Sequence, residues 1–116
     1  MTLALAVALS ELESKPQTLL SASAIGYYGL TGDCCVDESS PAGSDFLADV
    51  AKAWEQATLP ASGAGINTIH LRFGIVLSPD GGVLSKLLLP FKLGLGGRIG
   101  SGDQSMSWIS IDDVVQ

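Results

Sequence analysis

The sequence predicts an α/β fold in which helices flank a parallel β-sheet, and it predicts that this sheet is incomplete. Segments with helical and strand-like apolar spacing alternate along the chain, as in strand–helix–strand crossovers. The segment 18–25 is small and apolar, and 66–77 becomes continuous in its apolar content toward its end, which is typical of strands buried in a sheet. Two long strands are too few for a stable sheet, so we expect the 116 residues to be part of a larger domain.

Each predicted element follows from local spacing and ends at a breaker residue. Leu5, Leu9 and Leu12 recur at helical intervals, and Pro16 ends that helix. The predicted order is a helix from Thr2, a strand over 18–25, a loop over 26–44, a helix from Ser44 or Asp45 to Pro60, a turn over 62–65, a strand over 66–77, a helix over 83–93 interrupted by Pro90, a glycine-rich loop over 94–102, a strand over 106–111 and a helix capped by Asp112 or Asp113.

The second helix carries an apolar stripe. Phe46, Val50 and Trp54 lie at intervals of four residues, and this spacing predicts that they face the core, with Trp54 inside it. The same pattern directs Lys52 and Glu55 away from the core.

Composition excludes several classes of partner. With 6 Lys and Arg residues against 12 Asp and Glu residues, the net charge of −6 argues against nucleic acid and against anionic membranes. A chain that is 47% hydrophobic can bury enough surface to fold. Its longest apolar stretch falls far short of the roughly 18 residues that a transmembrane helix needs, so we expect no membrane partner.

The cysteines and the histidine indicate neither a disulfide framework nor a metal site. Cys34 and Cys35 are adjacent, so they cannot join distant segments, and His70 has no ligand partner at metal-binding spacing. We therefore expect no metal and a reducing location, in the cytoplasm or in an organelle interior. His70 lies between apolar neighbours and is predicted to be a surface residue or one with its hydrogen bonds satisfied.

Two motifs are candidates for a functional site. The glycine-rich loop 94–102 does not fit G-x-G-x-x-G, since Ile99 stands where the third glycine belongs, and sharp turning of the backbone accounts for it better than phosphate binding. Ser21 and Ser23 end a predicted strand just before Tyr27 and Tyr28. Ligands of open α/β sheets bind at that edge, although the same residues also suit simple packing.

Several ordered stretches carry a resemblance to a known family. They are Ser-Ala-Ser-Ala-Ile-Gly-Tyr-Tyr-Gly over 21–29, Leu-Arg-Phe-Gly-Ile-Val-Leu over 71–77, Pro-Asp-Gly-Gly over 79–82, the segment 89–102 and Ser-Trp-Ile-Ser-Ile-Asp-Asp over 107–113. Together they resemble the atypical or extended short-chain dehydrogenases called NAD(P)-dependent epimerase/dehydratase family proteins, a subgroup sometimes labelled cell-division inhibitors. The resemblance covers almost the whole chain.

The resemblance implies a Rossmann-like fold that binds NADP or NAD, of which residues 1–116 would be the middle portion. It implies that Ser23 orients the substrate and, with Ala24 and Ile25, lies beside the nicotinamide. The strand containing Gly74 would run under the cofactor. The cofactor's glycine-rich loop would belong to an amino-terminal half, so we expect the chain to need that half, or an oligomeric partner.

Four further residues complete the predicted site. The resemblance implies that the segment of about 83–110 walls the substrate pocket, with Trp108 as part of the wall. Arg72 is a candidate substrate-binding residue: it could reach a substrate phosphate or pair with an acidic neighbour, and the sequence leaves both open. Tyr27 and Tyr28 are the candidate proton donors.

One departure from the family pattern affects the expected activity. The helix after the serine strand lacks Tyr-x-x-x-Lys, because the tyrosine position falls near Phe46 or Leu47 and the lysine position near Ala51. We expect part of an oxidoreductase acting on a small carbonyl or sugar-like substrate. The alternative is a non-enzymatic cofactor-binding or interaction protein that has lost the acid/base pair.

Overall fold

The computed structural model describes residues 1–98 and 100–116, so Ile99 in the predicted pocket segment lies outside the described residues. The chain forms two compact units, Met1–Arg72 and Phe73–Gln116. The elements in chain order are α1 (Thr2–Ser10), β1 (Thr18–Ala24), a 3₁₀ turn (Ile25–Tyr28), α2 (Phe46–Gln56), α3 (Leu59–Gly63), β2 (Asn67–Phe73), β3 (Ile75–Leu77), α4 (Gly82–Lys92), β4 (Trp108–Ser110) and α5 (Ile111–Val115).

The first unit is built on the pair of strands β1 and β2. The backbone N–H of Asn67 donates to the carbonyl of Gln17 at 3.0 Å, so the two strands begin side by side and run in the same direction. Helix α1 packs on α3 and buries Ala6 and Ala61 together with Ile66. Two predicted features, the parallel pairing and the helical crossover, are therefore present in this unit.

Helix α2 begins as predicted but buries a different face. The Asp45 side chain accepts a hydrogen bond from the N–H of Ala48 at 2.9 Å and caps the helix. The buried residues are Ala48 and Ala51, whereas Trp54 is 53% exposed and Phe46 78% exposed. The prediction that Trp54 lies in the core is wrong, because small residues let the helix lie close to β1 and the 3₁₀ turn.

Pro60, which was expected to end the second helix, lies instead inside a separate short helix. Helix α2 stops at Gln56, and a short second helix, α3, then carries Pro60 in its first turn. Proline is tolerated there because the N–H groups of a first turn have no intrahelical acceptor. The predicted turn over 62–65 is thus partly the end of α3.

Strand β1 is less buried than its apolar sequence predicts. Ser23 is its one buried residue, and Leu20 is 61% exposed. In the described part of the chain β1 pairs with one strand, β2, so no described strand lies along its other edge. Large apolar side chains are also exposed on the helices, as on Leu3 of α1 and Leu89 of α4. None of the described helices has the length and apolar character needed to cross a bilayer.

The second unit begins where the predicted strand 66–77 breaks. Strand β3 pairs in parallel with β4, with Ile75 opposite Trp108 and Leu77 opposite Ser110. The break is at Gly74, where an added Cβ would come within 2.6 Å of the carbonyl oxygen of Ser107. The sequence predicted one strand because its apolar content continues, but this close approach requires a residue without a side chain.

The helices of the second unit differ from prediction at their ends. Helix α4 continues through Pro90 to Lys92, so the predicted interruption at this proline is wrong. Helix α5 is capped by Ser110, whose hydroxyl oxygen accepts from the N–H of Asp113 at 3.1 Å. The prediction of a cap at Asp112 or Asp113 is wrong, because the helix already begins at Ile111 and both aspartates occupy its first turn.

Replacing Gly74 by alanine should destabilise the second unit by about 1–3 kcal/mol, since the new methyl group would overlap the backbone at Ser107. Urea unfolding followed by circular dichroism measures the change. Gly97→Ala is the matched control, because an added Cβ there meets no described atom within 4 Å. Equal effects of the two substitutions would contradict the packing explanation.

Candidate functional site

Ser23 lies at the carboxyl end of β1 with its hydroxyl directed inward. The residue is 5% exposed, and its Oγ donates to Oε1 of Glu55 on α2 at 2.8 Å. Alternation along the strand turns Ser23 to the side that α2 covers. The hydroxyl proton is thus directed at a carboxylate.

The 3₁₀ turn that carries Tyr27 and Tyr28 is held by a close contact between two glycines. Gly29 has a φ of 69° and follows the turn, and a Cβ on Gly43 would lie 2.7 Å from the Cα of Gly29. The N–H of Gly43 donates to the carbonyl of Tyr27 at 2.8 Å. The loop before α2 therefore fixes the backbone from which both phenol rings project.

Glu55 and Arg72 form a bidentate ion pair between α2 and β2. Arg72 Nε donates to Oε1 at 2.8 Å and Nη2 donates to Oε2 at 2.9 Å. The side chains are 11% and 20% exposed, so solvent screens the pair less than it screens a surface pair. The pair answers the question left open for Arg72: it binds an acidic neighbour of its own chain.

The ion pair shifts both groups toward their charged forms. The hydrogen bonds donated by Arg72 hold the pKa of Glu55 below its ordinary value, against the opposing effect of partial burial. The bond from Ser23 lowers the pKa of Glu55 further. Glu55 in turn raises the pKa of Arg72 above its ordinary value. Both side chains are charged at neutral pH.

The guanidinium of Arg72 also contacts both tyrosines. Its Cζ lies 3.5 Å from the centroid of the Tyr27 ring, in cation–π geometry. Its Nη1 donates to the phenol oxygen of Tyr28 at 2.9 Å. The two rings meet edge to face, with centroids 5.3 Å apart. We call Ser23, Glu55, Arg72, Tyr27 and Tyr28 the Arg72 cluster.

His70 lies beside the Arg72 cluster and its tautomer follows from its neighbours. The hydroxyl of Thr58 donates to the carbonyl of Glu55 at 2.7 Å, so its oxygen accepts from Nε2 of His70 at 2.9 Å. Nδ1 lies 3.9 Å from Oε2 of Glu55. His70 thus has its hydrogen bond satisfied, one of the two roles predicted for it, and its ring lies next to the Glu55 carboxylate.

Lys52, the one lysine on helix α2, is engaged elsewhere. Its Nζ lies 2.7 Å from Oδ1 of Asp49 and donates to the carbonyl of Gly43 at 3.2 Å. Ala51, where the family pattern has lysine, is 3% exposed. The cation that contacts a phenol is Arg72, from the neighbouring strand β2.

The structure brings together four of the predicted site residues. Ser23, Tyr27, Tyr28 and Arg72 belong to one cluster, and Ala24 and Ile25 follow Ser23 at the end of the same strand. The remaining two, Gly74 and Trp108, belong to the second unit. There Gly74 packs against the backbone of Ser107, and Trp108 on β4 is 64% exposed.

Sequence reasoning missed Glu55, the residue that joins the cluster. The apolar stripe of α2 directed Glu55 outward, yet its side chain is 11% exposed. A signal was present in the small and polar residues Ala48, Ala51, Glu55 and Thr58, which recur at intervals of three or four. These residues mark the face that α2 turns toward the strands.

The glycine-rich segment 94–102 leads into a strand. The described residues between α4 and β4 form no helix, so this described stretch offers no helix N-terminus on which a pyrophosphate would lie. Gly94, Gly100 and Gly102 have positive φ, so the backbone at these positions favours glycine, as sharp turning of the backbone predicts. The predicted pocket segment also contains an apolar groove of about 300 Å³ on α4, lined by Leu84, Leu87, Leu88 and Phe91.

Comparisons with known proteins give consistent similarities. The chain matches no protein-family profile. It is 52% identical to an epimerase family protein of Mycobacterium bovis, over 85% of this chain and 33% of that protein. It is 42% identical to the chloroplastic epimerase family protein SDR39U1 homolog of Arabidopsis thaliana, over 91% of this chain and 30% of that protein. The chain spans about a third of the length of the curated relatives it matches.

Two solved structures have the same fold over this region. A nucleoside-diphosphate sugar epimerase from Corynebacterium glutamicum matches with a TM-score of 0.87 and 44% identity, covering 97% of this chain and 24% of that one. The human epimerase family protein SDR39U1 with NADPH matches with a TM-score of 0.75 and 31% identity, covering 97% and 38%. The predicted fold class is confirmed: the chain has part of the Rossmann-like α/β fold of epimerase family proteins.

Replacing Glu55 by glutamine should lower the free energy of unfolding by about 1–3 kcal/mol, because it leaves the Arg72 guanidinium without its counter-charge. Chemical denaturation measures the loss. Glu13→Gln, on an exposed residue outside the cluster, should change stability by less than about 0.5 kcal/mol. Similar losses in the two variants would contradict the structural role of the ion pair.

The stability that Glu55 provides should depend on pH in a defined direction. Its folded pKa is below the ordinary value of 4.5, so the contribution is fully present above that value and disappears as the pH falls through the lower folded value. The difference in unfolding free energy between the parent and Glu55→Gln should therefore be constant near neutrality and shrink as the pH falls below 4.5. Denaturation series at several pH values measure it, and a difference that grows on acidification would contradict the assignment.

Proposed function

We propose that this chain forms part of an NAD(P)-dependent oxidoreductase of the epimerase/dehydratase kind, acting on a small carbonyl or sugar-like substrate. The observation that carries the proposal is the Arg72 cluster at the carboxyl end of β1, the edge at which open α/β sheets bind ligands. The NADPH of the human relative and the sugar-epimerase name of the bacterial one support the same class of chemistry. The cluster offers nothing that suggests a role in cell division.

Within this proposal Ser23 and the tyrosines are the groups that act on the substrate. Ser23 polarises a substrate carbonyl when its hydroxyl turns from Glu55 toward the ligand, a rotation about one side-chain bond. Tyr27 and Tyr28 are half-buried and carry the phenol protons available to a substrate oxygen. The cluster thus supplies a polarising donor and a proton donor.

Arg72 can offer only some of its N–H groups to a substrate. Three of the five N–H groups of a guanidinium are used within the cluster, by the bonds to Glu55 and to Tyr28. The remaining two are left for a substrate oxygen. A hydroxyl or carbonyl oxygen of the substrate can accept from these N–H groups.

The described residues fit one end of a dinucleotide cofactor. Ala24 is small, and Ile25 is 37% exposed beside the buried Ser23, so a flat ring has an apolar surface and a hydroxyl at the strand end. NADP or NAD would supply a hydride there when bound. The chain contains no G-x-G-x-x-G between a strand and a helix to hold the pyrophosphate. The packing of Gly74 against Ser107 explains that glycine without a cofactor.

The segment 83–110 is proposed as part of the substrate-pocket wall. Its leucine-lined groove on α4 and the exposed indole of Trp108 are apolar surfaces that suit the carbon skeleton of a substrate. Both lie in the second unit.

A second candidate function follows from a specific departure. The tyrosine position of Tyr-x-x-x-Lys falls on exposed apolar residues, Phe46 and Leu47, and the lysine position on buried Ala51. A protein that kept the fold and lost catalysis would bind a cofactor or a partner protein without turnover.

A chimera separates the two candidates. Residues 1–116 replace the matching segment of the Corynebacterium glutamicum relative, and oxidation of NADPH is followed with a panel of small aldehydes, ketones and keto-sugars. An oxidoreductase oxidises NADPH with at least one of them, and Ser23→Ala lowers that rate by about tenfold or more. Binding of NADPH without oxidation would favour the non-enzymatic candidate. A turnover rate that Ser23→Ala leaves unchanged would show that Ser23 is not a catalytic residue.

The isolated 116-residue chain should not bind NADPH with micromolar affinity, because it lacks the G-x-G-x-x-G loop that holds the pyrophosphate. We propose that an amino-terminal half of the fold, or an oligomeric partner, supplies it. Isothermal titration calorimetry with the isolated chain and with the chimera measures the difference. Micromolar binding by the isolated chain would contradict the proposed division of the cofactor site.

A further inference from the structure

The two adjacent tyrosines stand in different relations to one cation. The Arg72 guanidinium faces the ring of Tyr27, with Cζ 3.5 Å from the centroid. Its Nη1 donates to the oxygen of Tyr28 at 2.9 Å, while its Cζ lies 5.1 Å from that ring's centroid. The cation therefore stacks on one phenol and hydrogen-bonds the other.

The hydrogen bond determines the direction of the Tyr28 proton. A guanidinium only donates, so the Tyr28 oxygen is the acceptor and its own proton points away from Arg72. When that proton leaves, the negative charge stays on an oxygen that already contacts a positive charge. Among the described residues no comparable donor reaches the oxygen of Tyr27.

The position of the cation depends on Glu55. The two carboxylate oxygens of Glu55 accept from Nε and Nη2, which fixes the guanidinium plane and leaves Nη1 directed at Tyr28. The other cation near this region, Lys52, lies against Asp49 and Gly43. Arg72 is thus the one described cation that contacts a phenol.

We propose that Tyr28, with Arg72 as its charge partner, is the proton-transferring residue of this site, and that Glu55 is a positioning residue that holds Arg72. The proposal rests on the proposed function and decides between its two tyrosines. Tyr27 is then a stacking surface for the guanidinium. The cation that Tyr-x-x-x-Lys proteins take from a helix comes here from strand β2.

Reduction of a carbonyl at this site uses one proton and one hydride. The O–H bond of Tyr28 breaks, its proton forms a new O–H bond on the substrate oxygen, and the electron pair remains on the phenol oxygen beside Arg72. The carbonyl carbon receives a hydride, whose source is a reduced nicotinamide dinucleotide. Water then returns a proton to Tyr28.

The first experiment tests the reactivity of the phenols in the 116-residue chain without cofactor. A small aryl sulfonyl fluoride reacts with phenols that a neighbouring cation activates, and peptide mass spectrometry measures the labelling. Because the chain has 2 tyrosines, Tyr27→Phe and Tyr28→Phe each leave one phenol. We expect tyrosine labelling to fall about tenfold or more in Tyr28→Phe and to persist in Tyr27→Phe.

Substitutions of the positioning residues complete this experiment. Arg72→Met should lower labelling of Tyr28 by about tenfold, whereas Arg72→Lys, which keeps the charge, should retain most of it. Glu55→Gln should give an intermediate loss. Equal or faster labelling of Tyr27 would overturn the proposal, as would labelling of Tyr28 that is the same in Arg72→Met. Circular dichroism tests whether the compared variants are folded. If Arg72→Met is unfolded, the comparison of Tyr27→Phe with Tyr28→Phe decides which phenol is reactive.

The second experiment uses the chimera and separates this proposal from the proposed function. Tyr28→Phe should lower kcat for carbonyl reduction by about a hundredfold with KM changed little, because the phenol acts in the transition state. Turnover that depends on Tyr27 instead would overturn the assignment of Tyr28 and leave the oxidoreductase function intact. Selective labelling of Tyr28 in a chimera that reduces no carbonyl would support the reactivity of this phenol and contradict the proposed oxidoreductase function.

Discussion

The ion pair between Glu55 and Arg72 is the interaction on which the rest of the site depends. It joins α2 to β2, and through further hydrogen bonds it reaches Ser23 on β1 and Tyr28 on the 3₁₀ turn. Two charges withdrawn from water are stable only when their hydrogen-bonding groups find partners, and here both carboxylate oxygens accept from the guanidinium. The pair therefore also sets the protonation state of the site: Glu55 stays a carboxylate, and Ser23 and Tyr28 are oriented by charges.

Small residues make this arrangement sterically possible. The close contact of Gly29 with Gly43 brings the loop before α2 against the tyrosine turn, and Ala48 and Ala51 let the helix approach the strands. Bulky apolar side chains on that face would separate Glu55 from Arg72. The large residues of α2, such as Phe46 and Trp54, point outward instead, which explains why an apolar stripe on this helix lies on its exposed side.

Much of the local structure was predictable from the sequence, and the site was predictable only in part. The cap at Asp45, the strand ending near Ser23 and the break at Pro79–Gly82 follow from short-range chemistry that neighbouring residues decide. Ser23, Tyr28 and Arg72 were each identified as candidates, from a strand end and a family resemblance. Glu55 was not, because apolar spacing measures which side of a helix is hydrophobic, and an ion pair can bury the other side.

The sequence by itself determined the α/β class, the alternation of helices and strands and the residue types that can do chemistry here. It determined these because periodicity, capping residues and glycine positions act within a few residues of one another. The tertiary structure alone decided that a cation from β2 meets the phenol of Tyr28, and that Gly74 divides an apparently continuous strand. Such contacts join residues far apart in the chain, such as Tyr28 and Arg72, and only packing brings those residues within hydrogen-bonding distance.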